Sequence, residues 1–234
     1  MNEDTIYETF LFVGLKKFII SVNQKDDFKT IHKNEIDFSN ELNETQFNKL
    51  NDFLDKNIFQ IEKTLNYFIK NIYIILDHKE FLPIEISIQK QNYRNLILKD
   101  DLIYSLNEIK DYCKKTLEKK KIIHMLIDKY VIDDKSYFSL PDNLKSDRFS
   151  LDVRFICLPK EVLKNLEEIL KKYQIRIQHL VEGNYVRSFD SVGDKDIFIK
   201  AKDLIEGLNV NEIKLREKMT KNKGFFEKFF NLFS

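Results

Sequence analysis

The chain is short of the residues that most chemistries draw on. It holds 5 Gly, 3 Pro, 2 Cys and no Trp among 234 residues. Two cysteines, Cys113 and Cys157, exclude a disulfide scaffold and a multi-cysteine zinc site, and they fit a reducing cytosol. So little glycine leaves few loops able to cradle phosphate, because backbone amides reach an anion most easily where no side chain intervenes. Charge of one sign is also lacking. Against 39 Lys and Arg stand 38 Asp and Glu, a formal net charge of +1, so no nucleic-acid-binding face is expected. No apolar run approaches the roughly 20 residues that cross a bilayer. The opening residues, MNEDTIYETF, are acidic where a secretory leader would be basic, so export is not expected.

What is present belongs to a folded chain, with 43% hydrophobic and 33% charged residues. Residues 7–14, 16–23 and 28–38 are runs of Phe, Ile and Val broken by Gly14 and by Gln24-Lys25-Asp26-Asp27, which predicts a three-stranded meander. Phe47, Leu50, Phe53, Leu54, Ile58, Ile61, Leu65, Phe68 and Ile69 recur at helical spacing and predict one helix over 44–70, capped by Asn43 or Thr45. Residues 72–76 predict a buried strand and 81–89 an edge strand, where Pro83 is tolerated. A helix over 99–118, a lysine turn at 119–121 and strands over 122–132 and 149–158 follow. Pro159 opens a helix to about 173, then come a strand over 175–181 ended by Gly183 and a helix over 201–206. The order is mixed α/β with an inserted module.

Positive signs of an enzyme are lacking. His32, His78, His124 and His179 lie on separate elements without metal-ligand spacing. Asp133, Asp134, Asp142 and Asp147 read as a solvated loop, Cys157 sits in an apolar strand, and no serine elbow or convincing carboxylate pair occurs.

The strongest functional signal is at the end, where residues 221–234 read KNKGFFEKFFNLFS. At about 100° per residue on a helix, Phe225, Phe226, Phe229, Phe230, Leu232 and Phe233 share one half; Glu227, Lys228, Asn231 and Ser234 share the other. Lys214, Arg216, Lys218, Lys221 and Lys223 precede it, with Glu217 alone opposing them. An aromatic face flanked by lysines suits a membrane interface, and each cation near anionic headgroups adds on the order of 1 kcal/mol. The plainer reading is a helix docked on its own domain. The all-aromatic centre and the hinge at Gly224 favour membrane or partner contact.

The middle of the chain resembles FtsA, the actin-like family of bacterial cell-division proteins. The segment His124-Met125-Leu126-Ile127-Asp128-Lys129-Tyr130-Val131-Ile132-Asp133 is similar to a family strand with Tyr three residues before Asp. Asp152-Val153-Arg154-Phe155-Ile156-Cys157 resembles the strand returning to the actin-like core. Val162 onward, through Gln174-Ile175-Arg176-Ile177-Gln178-His179-Leu180-Val181, resembles the next helix and strand. Ile72 to Leu76 with Asp77-His78-Lys79 is similar to the strand after which the family inserts a strand–helix–strand–strand subdomain. The likeness covers about residues 8–190. It departs where actin-like ATPases hold phosphate: in Phe12-Val13-Gly14-Leu15-Lys16-Lys17, Phe12 stands at the Asp position, Leu15 at a hydroxyl position, and only Gly14 and Lys17 fit. Asp190-Ser191-Val192-Gly193-Asp194-Lys195-Asp196 is too short and glycine-poor for the second phosphate hairpin. The resemblance implies that the second half of the actin-like fold has no counterpart among these residues.

The resemblance implies a partial actin-like, ribonuclease-H-like lobe (1–79 and 158–210), an inserted SHS2-type module (80–157), and a basic linker with an amphipathic membrane helix (211–234). The expected function is a non-catalytic adaptor of cell division, without cofactor, ATP or metal. It would lie on the cytoplasmic face of the inner membrane, at the division site. Its expected partners are division proteins (the ring protein or later divisome components) and an anionic membrane surface. Self-association stays open, since a sheet cut at a domain junction exposes an edge. Two further readings stay open: an ATPase or switch using Gly14 and Lys17, and a pilus-assembly-type adaptor with the same core and inserted module.

Overall fold

The computed structural model describes residues 6–43, 45–97, 99–141, 145–189 and 195–213. Strands β1 (Tyr7–Val13), β2 (Lys17–Gln24) and β3 (Thr30–Asp37) form an antiparallel meander. Helix α1 (Gln46–Leu65) leads to β4 (Asn71–Leu76), which lies parallel to β1. The chain then builds β5 (Leu82–Leu96), α2 (Lys99–Thr116), β6 (Lys120–Ile132), β7 (Lys135–Tyr137) and β8 (Lys145–Pro159). It returns through α3 (Lys160–Lys171) to β9 (Arg176–Glu182), parallel to β4, and continues as α4 (Gly183–Ser188) and α5 (Ile197–Glu206).

Two sheets result, ordered β3-β2-β1-β4-β9 and β5-β8-β6-β7. The first is covered on both faces, which is why β1 reads as an unbroken apolar run and not as an alternation. Leu11, Val13, Phe18 and Ile20 pack against Leu50, Leu54 and Ile61 of α1 and Leu166 and Leu170 of α3. Phe10, Phe12, Ile19 and Ile75 pack on the other side against Phe198, Ala201 and Leu204 of α5. Each such side chain contributes roughly 1.5–3 kcal/mol by leaving water. The second sheet is covered on one face, where Leu102, Leu106, Ile109 and Cys113 of α2 meet Ile127, Val153 and Phe155. Its other face holds polar side chains: Ser87 Oγ donates to Asp152 at 2.6 Å, and Lys129 and Arg154 pair with Asp152 and Asp128. The two sheets touch through β6 and β8, since Leu158 belongs to the first core and Leu126 and Ile156 to the α5-side core.

Several boundaries differ from the expectations. Helix α1 stops at Leu65 because Asn66 takes the left-handed conformation (φ 48°), leaving Phe68 exposed and Ile69 buried in the following segment. Thr45 stands at the N-cap position without a capping bond from its hydroxyl. Lys120 and Lys121 are not a turn; they begin β6, paired with Pro159 and Leu158. Strand β5 runs on to Leu96 through an irregularity between Gln91 and Asn95. The segment expected as a loop after Ile132 makes a hairpin, with Asp133 and Asp134 both at positive φ (45° and 68°) and β7 beyond them. Gly183 opens α4 where a simple strand end was expected, and α5 starts at Ile197, four residues before the expected Ala201.

Candidate functional site

In sheets with parallel strands, ligands meet the chain at the carboxyl ends of those strands. Here those ends are Gly14 after β1, Asp77 after β4 and Gly183 after β9. The β1–β2 turn is closed by Gly14 N–H donating to Lys17 O at 2.8 Å. A Cβ on Gly14 would stand 2.7 Å from Phe12 Cε1 and 2.8 Å from Lys17 O, so glycine is required by close approach of ring and backbone. The Gln46 amide, fully buried at the start of α1, donates to Gly14 O at 3.1 Å and to Asp77 O at 2.9 Å. Gln46 thereby ties β1, β4 and α1 together. The Asp77 carboxylate lies against α4: a Cβ on Gly183 would stand 2.0 Å from Asp77 Oδ1. Arg187 holds it with two bonds, Nη2 to Oδ1 at 2.8 Å and Nη1 to Oδ2 at 3.1 Å, and also donates to Asn184 Oδ1. The chain's own amide, carboxylate and guanidinium occupy these strand ends.

Of the residues singled out in the phosphate-turn segment, Gly14 lies in that turn and Lys17 opens β2, its Nζ 3.1 Å from Glu35 and 3.6 Å from Asp37. The hydrogen bond to Glu35, first among the causes, holds the Lys17 ammonium above its ordinary pKa. The residues read as membrane-binding, Phe225, Phe226, Phe229, Phe230, Leu232, Phe233, Lys221, Lys223 and Lys228, lie outside the described residues, as does Asp190 to Asp194 of the second phosphate segment.

A second polar centre sits where the sheets meet. A cleft of about 230 Å³ is bounded by Ile127, Asp128, Arg154, Tyr185, Asn209 and Asn211 among others. Arg154 Nη2 donates to Asp128 Oδ1 at 2.6 Å, while its Nε is buried without a hydrogen bond. Beside the cleft, His124 Nδ1 lies 2.7 Å from Glu212 Oε1, and Tyr185 OH donates to Glu212 Oε2 at 2.9 Å. His124 Nε2 accepts from Glu182 N–H at 3.0 Å, which assigns the ring proton to Nδ1. A histidine with both nitrogens engaged this way is a strut and not a general base. Burial, then the Glu212 charge, push the Tyr185 phenol well above its ordinary pKa. Around this strut the chain makes backbone bonds to β6: Ile127 N–H to Asn211 O and Ile213 N–H to Met125 O, both 2.9 Å. Nothing in the spacing of His124, Tyr185 and Glu212 announces the cluster, because three separate elements bring it together.

The remaining candidates are structural. Asp133 accepts from the N–H groups of Asp147 and Arg148, and Asp134 pairs with Arg148. Both cysteines are buried thiols, with Cys157 pushed up to about 11 by burial. Among the described residues no three His, Cys, Asp or Glu side chains come together as a metal site, and no helix is long and apolar enough to cross a membrane.

No protein-family model matches the chain, and no curated protein matches it. Solved structures to which it is similar include a PilM–PilN type IV pilus biogenesis complex, at 9% identity and TM-score 0.46, over 76% of this chain and 48% of that one. Another is the cytoplasmic domain of EpsL, an inner-membrane component of the type II secretion system of Vibrio cholerae, at 10% identity and TM-score 0.38, over 80% and 59%. A Bacteroides thetaiotaomicron protein with an actin-like ATPase fold matches at 16% identity and TM-score 0.32, over 78% and 54%. The chain spans about half the length of these structures.

Proposed function

We propose that the chain is a non-catalytic adaptor on an actin-like half-fold, FtsA-like in kind, which holds bacterial division proteins at the inner face of the cell membrane. The observation that carries this reading is the occupancy of the strand ends. The Gln46 amide N–H groups are taken by the Gly14 and Asp77 carbonyls and the Asp77 carboxylate by Arg187 where an actin-like chain would handle phosphate, and Lys17 is engaged by Glu35 and Asp37. Protein contact falls to the inserted SHS2-type module, about 80–157, whose face away from α2 presents Ser87, Lys129, Asp152 and Arg154. The cleft at its base adds Arg154, whose partly exposed guanidinium, held by Asp128 through Nη2, suits a partner's carboxylate. Membrane contact falls to Phe225, Phe226, Phe229, Phe230, Leu232 and Phe233, assisted by Lys221, Lys223 and Lys228.

Co-sedimentation with anionic vesicles tests the membrane half. Phe226→Glu with Phe229→Glu abolishes vesicle binding; binding that survives the double change refutes the tail assignment. A fluorescent fusion tests the cellular half, with a mid-cell band expected and polar foci pointing instead to a pilus-type adaptor. Millimolar Mg-ATP leaves the melting temperature unchanged, whereas a clear upward shift revives the nucleotide switch.

A further inference from the structure

The long open edge of β5 is guarded only at its ends, by Pro83 and by the irregularity beyond Gln91, and among the described residues nothing pairs with the regular span between them. β5 is terminal in its sheet, with β8 on one side. Ile84, Ile86 and Ile88 turn half-buried toward α2, and Glu85, Ser87 and Gln89 are exposed. Other edges are guarded: β3 carries Lys33, Glu35 and Asp37, β7 has three residues, and the end of β9 is buried with Glu182 N–H bonded to His124. Between Leu82 and Gln91, β5 carries only Glu85 and Lys90 as charges, and Lys90 folds back onto α2, 3.3 Å from Glu108 and 4.9 Å from the Tyr104 ring centre. Exposed apolar side chains gather along this border: Leu82, Tyr93 and Leu96 on β5, Tyr104 and Tyr112 on α2.

We propose that β5 pairs antiparallel with β5 of a second copy of this chain, about a two-fold axis through Ser87. Residues that face one another across a ladder share a sheet face, so the axis passes through a residue. Pro83, without an N–H, belongs to the set whose amides point away from β8, and Glu85, Ser87 and Gln89 are in that set. An axis through Glu85 opposes two carboxylates. An axis through Gln89 runs the pairing into the irregularity beyond Gln91. An axis through Ser87 sets Ile86 against the partner's Ile88 and Glu85 against the partner's Gln89, and the ladder ends at Pro83, which has no N–H to give the partner's Gln91. One sheet then runs through both copies with the two α2 helices on the same face. This pairing does not depend on membrane binding or on the identity of other partners.

Sedimentation equilibrium of the full chain tests it. The wild type dimerises. Gln89→Lys places opposite charges together twice per dimer and tightens the dissociation constant by about tenfold; Gln89→Glu loosens it by a similar factor. Glu85→Lys combined with Gln89→Glu exchanges the two charges of the favourable pair and tightens the dissociation constant as Gln89→Lys does. These side chains are exposed, and unchanged circular dichroism shows that the monomer is intact. A wild type that stays monomeric at its highest soluble concentration overturns the proposal. So does a dimer indifferent to all three changes, which is the result if association runs through the aromatic tail.

Discussion

Replacing Glu212 by alanine is the sharpest test of how the end of the described chain is held. Glu212 Oε1 and Oε2 receive the His124 Nδ1 proton and the Tyr185 hydroxyl, at 2.7 Å and 2.9 Å. His124 and Tyr185 are 4% and 7% exposed, and the Glu212 side chain is 12% exposed, so solvent cannot easily substitute for the carboxylate. Truncation leaves two buried donors without acceptors. Each costs about 1–3 kcal/mol, and partial relaxation brings the total to about 3 kcal/mol. Tyr185 keeps its bond from Asn209 Nδ2 at 2.8 Å, but there the hydroxyl is the acceptor and its proton still lacks a partner.

Urea unfolding reads the loss, and hydrogen exchange locates it. Glu212→Ala lowers stability by about 3 kcal/mol and speeds exchange at the Ile127 and Ile213 amides, which bond across between β6 and residues 211–213. Glu212→Gln keeps an acceptor for His124 and costs about 1 kcal/mol. In a cycle with Tyr185→Phe, the two changes couple by about 1 kcal/mol. A change below about 0.5 kcal/mol for Glu212→Ala, or unaltered protection at Ile127 and Ile213, would falsify the strut, because surface substitutions give effects of that size.

Gly183→Ala drives a Cβ to 2.0 Å from Asp77 Oδ1, so the Asp77–Arg187 pair must break or α4 must shift; thermal melts show a cost of about 1–3 kcal/mol, and an unchanged melt contradicts the close approach. The Tyr185 pKa is raised in the folded chain, so the neutral phenol is favoured there; its stability contribution is full below the ordinary tyrosine pKa of about 10 and is lost as pH rises beyond it. Urea midpoints across that range fall with pH, and the fall is shallower in Tyr185→Phe. With its pKa pushed up to about 11 and its side chain buried, Cys157 resists a thiol reagent near pH 8 until the chain unfolds; immediate labelling would contradict its place in the core.

The meander, the strand after α1, the helix opened at Pro159 and the inserted strands were legible because apolar periodicity there reports burial directly. Asn66 was not, since its left-handed φ interrupts a pattern that Phe68 and Ile69 continue in register. The Asp133–Asp134 turn escaped notice because hairpins of this type favour glycine second, and this one closes with two aspartates stabilised by Arg148 and by the amides of Asp147 and Arg148. Helix α4 has only six residues, too few for a period. At the strand ends, Gly14 and Lys17 could be read from the turn. Gln46 could not, because a glutamine in an amphipathic helix carries no mark of the two carbonyls it will meet.

The path of the chain after α5 links these parts mechanically. The last residue described, Ile213, is not the root of a loose arm: its N–H is bonded to Met125 O, and its neighbour Glu212 carries the strut to His124 and Tyr185. Met125 and Ile127 belong to the core of the second sheet, while Tyr185 belongs to the core beneath α5. A force applied to the chain beyond Ile213 is therefore delivered to both cores at once and not to one exposed loop. Asn209 and Asn211, on the same path, form part of the cleft beside Arg154. An occupant of that cleft would bear on the segment that leads to the aromatic tail. Weakening the strut with Glu212→Ala should thus loosen the cleft and Ile213 together, whereas Gly183→Ala, which perturbs the Asp77–Arg187 pair, should leave exchange at Ile213 as it was.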